Sequence, residues 1–186
     1  MNILGIVAEF NPFHSGHAYL IDKARLLGAT HTVCVMSGNF VQRGDIAVCS
    51  KKARAEMALC SGIDLVLELP VTFATATAQR FAYGAVAVLA ALGCVNRIAF
   101  GSECGDTDRL KSVADVLGDE RVLTRTREIM QNGITFAAAR QAALNDCGYD
   151  GDILRNPNDT LAVGYIDAIN TLTETIGLRL FKKYFP

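Results

Sequence analysis

Gly5-Ile6-Val7-Ala8-Glu9-Phe10-Asn11-Pro12-Phe13-His14-Ser15-Gly16-His17 is the stretch on which the fold turns. An apolar run breaks at Glu9, an Asn-Pro turn follows, and two histidines three residues apart bracket a glycine. Leu20, Ile21, Ala24 and Leu27 then recur at helical spacing until Gly28 supplies a stop. The spacing predicts a strand over Asn2 to Glu9, a short turn and a helix from Gly16 to Leu27, the first half of a βαβ unit.

The same alternation continues outward. His31 to Met36 reads as a second strand, and Ser50 caps a helix carrying Ala53, Met57 and Leu59 up to Gly62. Asp64 to Leu69, closed by Pro70, has the continuous apolar run of a fully buried parallel strand. A long apolar helix spans Thr77 to Leu92, and Arg97 to Gly101 is the fourth strand. Helices are expected over Asp106 to Leu117, Arg121 to Gln131, Phe136 to Asp146 and from about Thr160 to Leu172, with a fifth strand at Leu178 to Phe181. The predicted class is α/β: a Rossmann-like parallel sheet of about five strands, helices on both faces and a helical C-terminal part.

Composition narrows the function classes. Across 186 residues, 18 Lys and Arg balance 19 Asp and Glu, a net charge of -1. That lacks the basic surplus of a protein that holds nucleic acid by charge alone, so any RNA binding is local or assisted. The start lacks a signal peptide's basic n-region, and the apolar stretch from Gly84 to Val95 is shorter than the ~20 residues that span a bilayer, so no membrane role is expected. Cysteines at 34, 49, 60, 94, 104 and 147 form no C-x-x-C pair and are expected to be reduced, structural thiols of a cytoplasmic protein. Residues 1–186 read as one domain.

Two of the three histidines lie in the turn after the first strand. In a parallel sheet, ligands bind beyond the carboxyl ends of the strands, where a helix N-terminus attracts phosphate. Gly16 permits close backbone approach, and His14 and His17 can donate hydrogen bonds to charge building on an α-phosphate. Two plainer readings stand beside this one: a metal pair aided by Glu9, for which no third ligand follows at a recognisable spacing, and a purely structural turn.

The opening stretch resembles that of the tRNA(Met) cytidine acetate ligase family, within the H-x-G-H nucleotidyltransferase superfamily. Met36-Ser37-Gly38-Asn39-Phe40-Val41-Gln42-Arg43-Gly44 resembles that family's second signature, and Phe100-Gly101-Ser102-Glu103 and Pro157-Asn158 follow in the same order. The resemblance implies ATP-dependent activation of acetate to acetyl-adenylate. Transfer to the wobble cytidine of elongator tRNA(Met) then forms N4-acetylcytidine. It implies His14 and His17 as catalytic residues. The implied ATP contacts are Ile6, Val7, Ala8, Glu9, Phe10, Asn11, Pro12, Phe13, His14, Ser15, Gly16, His17, Ala18 and Tyr19, with Gly101 and Asn158 further on. Gly101 would keep a side chain out of the nucleotide's way, or simply serve a turn; Asn158 would offer its amide to ATP, or simply cap a helix.

Further expectations are looser. Arg43, Lys51, Lys52 and Arg54 add positive charge near the site, and Asp45 and Glu103 are candidate Mg²⁺ partners through water, although no protein metal site is expected. Family members are about twice this length and carry another nucleotide-contacting arginine, for which Arg179 is the nearest counterpart, and a C-terminal tRNA-binding region beyond this chain's end. Two other functions remain open: adenylylation of a small phosphorylated metabolite, and a non-catalytic nucleotide- or RNA-binding module. Oligomeric state is not legible.

Overall fold

Alternation along each strand sends successive side chains to opposite faces of the sheet, and here both faces are covered. The computed structural model describes residues 1–176 and 184–185. Its strands are β1 Ile3–Ala8, β2 His31–Ser37, β3 Leu65–Leu69 and β4 Arg97–Ala99, all parallel, in the order β3-β2-β1-β4. A two-residue strand β5, Tyr184–Phe185, pairs parallel with β4 at the edge. The fifth strand expected at Leu178 to Phe181 lies outside the described residues, as does Arg179.

The helices are α1 Ser15–Leu26, α2 Lys51–Cys60, α3 Val71–Ala74, α4 Ala78–Ala91, α5 Thr107–Ala114, α6 Glu120–Met130, α7 Phe136–Asp146 and α8 Pro157–Ile176. Leu4, Ile6, Cys34, Met36 and Ala99 form one apolar layer with Ile21 and Ala24 of α1 and Ala58 of α2. Ile3, Val33, Val35 and Ile98 form the other, with α4, α5 and α8 supplying Phe81, Leu89, Leu110 and Ile166. The chain runs outward from β1 to β3 and then returns to place β4 on the other side of β1. That reversal makes the crevice beyond Ala8 and Ala99 the topological switch point of the sheet.

Four departures from expectation have physical reasons. The third strand is not fully buried: it starts at Leu65, which is 42% exposed, because β3 is an edge strand with one neighbour. A short helix, α3, follows Pro70, and its Phe73 ring packs so closely on α4 that a Cβ at Gly84 would collide with it. Helix α8 begins at Pro157 rather than near Thr160, with proline at the first helical position, where its missing N–H costs nothing. Cys34 behaves as the small core hydrophobe expected, and burial pushes its thiol pKa well up, but Cys60 and Cys94 are exposed. All six cysteines are free, and no helix among the described residues is long and apolar enough to cross a membrane.

Candidate active site

Beyond β1 the backbone turns sharply at Phe10, which adopts φ 47° in the left-handed region. That conformation costs a bulky residue on the order of 1–3 kcal/mol and persists only where packing enforces it. Here the Phe10 ring is 1% exposed and lies against Phe13 (5.1 Å between centroids) and edge-on to His17 (4.8 Å). Ile6 and Phe10 are therefore buried beneath the turn, whereas Pro12, His14, Ser15, Gly16 and Tyr19 are exposed.

His14 is the N-cap of α1. The Gly16 main-chain N–H donates to His14 Nδ1 (3.1 Å), and the His14 main-chain N–H donates to His17 Nδ1 (3.2 Å), a reciprocal capping box built from two imidazoles. Because each Nδ1 accepts, a neutral ring carries its proton on Nε2, which leaves each histidine one further donor. The rings stack with centroids 3.7 Å apart. Desolvation, with His14 as a neighbouring charge, lowers the His17 pKa to about 4, so His17 is a neutral donor at physiological pH.

Three side chains bind the turn to the loop after β2. Glu9 Oε1 accepts from the Gln42 N–H (2.6 Å), and Asn11 Oδ1 accepts from the Val48 N–H (2.8 Å). Arg54, fully buried on α2, donates to the main-chain oxygens of Glu9, Gly38 and Cys49. Sequence reasoning placed Arg54 among charges facing a ligand; the structure instead commits it to the main chain. Its position four residues before the buried Ala58, on one helix face, was the available signal. Lys51 pairs with Glu68 (2.6 Å) and Lys52 is exposed. Among the described residues, Ser37 Oγ at the carboxyl end of β2 is the one buried side-chain polar atom without a partner.

The opposite wall is formed where β4 ends. Gly101 is exposed, and a Cβ placed there would meet nothing within 4 Å. The next residues clasp the start of α8. Glu103 Oε1 accepts from the N–H and side-chain amide of Asn158 (3.1 and 3.0 Å), and its Oε2 accepts from the Asp159 N–H (2.8 Å). In return the buried Asp159 accepts from Ser102 Oγ, from the N–H groups of Glu103 (3.0 Å) and Cys104, and from the Asn156 amide (2.9 Å). Burial alone would raise the Asp159 pKa, but the Ser102, Asn156 and Cys104 hydrogen bonds outweigh it and the pKa is lowered.

The clasp bears on two expectations. Asn158 lies inside α8 and is not its cap; Glu103 does the capping, and Asn156 precedes the helix. Both Glu103 oxygens accept hydrogen bonds from the start of α8, so the carboxylate named as a candidate Mg²⁺ partner also serves as that helix's cap. Asp45 is exposed, and no group of three or more His, Cys, Asp or Glu side chains placed to hold a metal occurs among the described residues. Ser102 and Asp159 were not singled out from sequence, because their partners lie more than fifty residues apart.

A family model described as HIGH nucleotidyl transferase matches residues 1–183. The tRNA(Met) cytidine acetate ligase of Thermoanaerobacter sp. (strain X514) is 45% identical over 182 residues, covering 95% of this chain and 45% of that protein. The one from Syntrophomonas wolfei is 48% identical over 179 residues, covering 91% and 42%. Among solved structures, Thermotoga maritima TmcAL bound with alpha-thio ATP matches with a TM-score of 0.87 and 40% identity, covering 100% of this chain and 46% of that one. This chain thus spans about half the length of the relatives it matches.

Proposed function

The chain belongs to the HIGH nucleotidyl transferase family, and from that premise we propose that it activates acetate with ATP to form acetyl-adenylate, as the first half of tRNA(Met) cytidine acetylation. The observation that carries this reading is the pair of imidazoles, His14 and His17, whose Nδ1 atoms both accept main-chain N–H groups at a helix N-terminus beside the β1/β4 switch point, which leaves their Nε2 positions to donate. Support comes from relatives named for cytidine acetate ligation and from a structural neighbour that holds an ATP analogue.

In the proposed reaction an acetate oxygen attacks the α-phosphorus in line. The bond from that phosphorus to the β-bridging oxygen breaks, and pyrophosphate leaves with the bond's electrons. His14 and His17 donate hydrogen bonds to charge developing on the phosphoryl oxygens, stabilisation that neutral donors provide without being consumed. ATP would run along Ile6 to Tyr19, touching main chain where Ile6 and Phe10 are buried and side chains where the turn is exposed. The open space at Gly101 would admit the nucleoside, and Asn158 would present its edge beside it.

Acetyl transfer to the wobble cytidine, recognition of tRNA and a cytoplasmic location belong to the same proposal. The test is ATP–pyrophosphate exchange on this chain with and without acetate. Exchange that requires acetate supports the reading; exchange that requires a phosphate ester and ignores acetate replaces it with metabolite adenylylation.

A further inference from the structure

A cavity of about 600 Å³ opens between the N-terminus of α4, α7 and the first turns of α8. Pockets of ~300–1,000 Å³ suit ligands far larger than acetate. Its rim meets the histidine site at two points: Gln42, whose N–H is held by Glu9, and Pro157, next to Asn158.

Arg140 gives the cavity its character. It is half-buried, and none of the ion pairs among the described residues includes it, whereas Arg109, Arg121 and Arg125 each face a carboxylate. Its Nη1 donates to Gln79 Oε1 (2.9 Å). The Gln79 amide is in turn oriented by Asp167, which accepts from Nε2 at 2.9 Å. The guanidinium sits over the Phe136 ring, 5.4 Å from its centroid, and Phe136 is 43% exposed. Burial lowers the Arg140 pKa against the opposing pull of Asp167, yet a guanidinium stays charged in proteins. The hydroxyls of Thr75 and Thr160 already donate to main-chain oxygens (both 2.9 Å), so toward the cavity they offer acceptor lone pairs.

A compensated but unpaired cation, a partly exposed aromatic ring and oriented acceptors are the chemistry that receives a splayed-out base and its phosphate. We propose that this cavity holds one unstacked nucleotide of an RNA strand, its phosphate against Arg140 and its base against Phe136 and the threonine oxygens. The proposal rests on the RNA acceptor of the proposed function and names where this chain would receive it.

The test titrates the chain, with a non-hydrolysable ATP analogue saturating the histidine site, with cytidine 5′-monophosphate while ¹H–¹⁵N spectra are recorded. Saturable shifts are expected at Gln79, Phe136, Gly164 and the Arg140 Nε–H. Binding should weaken about tenfold or more in Arg140→Met, the scale of one lost charged hydrogen bond, with part recovered in Arg140→Lys. The dispersion of the same spectra reports whether each variant is folded, and Phe136→Leu provides an independent variant that should also weaken binding. Shifts confined to residues 5–19, 101 and 158, or inorganic phosphate binding as tightly as the nucleotide, would overturn the proposal. Acetate-dependent exchange is read separately on the unaltered chain. If exchange fails while the nucleotide binds, the ligase reading falls and the cavity assignment stands; if the nucleotide fails to bind while exchange persists, the reverse holds.

Discussion

His14 is asked to do two things, and they separate by substitution. As N-cap it accepts the Gly16 N–H, a contact worth ~1 kcal/mol in comparable helices. As phosphate donor it should contribute on the order of 100-fold in rate, the scale of removing one oxyanion donor. His14→Ala removes both. His14→Asn keeps a strong capping side chain and removes the imidazole. Thermal melting should show the alanine variant ~2–4 °C below the parent, as expected for about 1 kcal/mol in a chain of this size, with the asparagine variant close to the parent. Acetate-dependent ATP–pyrophosphate exchange should fall by ~100-fold in both. If His14→Asn restores exchange along with stability, His14 is a cap and the catalytic reasoning is refuted.

Other expectations follow from the same geometry. Arg54→Met would strand three main-chain oxygens in the interior and should cost ~3–5 kcal/mol in urea unfolding, with a loss under about 1 kcal/mol contradicting its role as a buried brace. Asp159→Asn offers an amide where Ser102, Glu103, Cys104 and Asn156 all donate; a loss of about 2–3 kcal/mol should appear as a drop of roughly 4–12 °C in melting temperature and faster hydrogen exchange at the Cys104 amide. For His17, the unfolded chain takes up its proton near 6.5 and the folded chain only near 4. Its contribution is therefore complete above pH 6.5 and is lost as pH falls toward 4, by about 1–2 kcal/mol once screening of a half-exposed ring is allowed for. Chemical denaturation across that range should show this slope reduced in His17→Asn.

What the chain's own pattern reveals, and what it hides, divides by the range of the interactions. Period-2 and period-3.6 apolar spacing are local, so β1, β2, α1 and α7 were legible almost to the residue. The histidine turn was legible because its meaning comes from lying between a strand and a helix. Strand β3 looked fully buried because apolar content does not say whether a strand has one neighbour or two. Arg54 looked like a ligand-facing charge, and the clasp made by Glu103 went unseen, because their partners, the turn after β1 and the start of α8, are distant in sequence. The Arg140 cavity escaped notice for the same reason: Gln79, Phe136 and Asp167 meet only when α4, α7 and α8 pack together.

The central claim is that an acetate oxygen becomes bonded to the α-phosphorus of ATP at this site. Incubating the chain with ATP and ¹⁸O-labelled acetate, then analysing the nucleotide product by mass spectrometry, tests it directly. The account predicts acetyl-adenylate and pyrophosphate, and, once water attacks the acyl carbon and releases acetate, AMP whose phosphate keeps an oxygen from the labelled acetate. Formation of ADP and phosphate, or AMP bearing oxygen only from water, would contradict it.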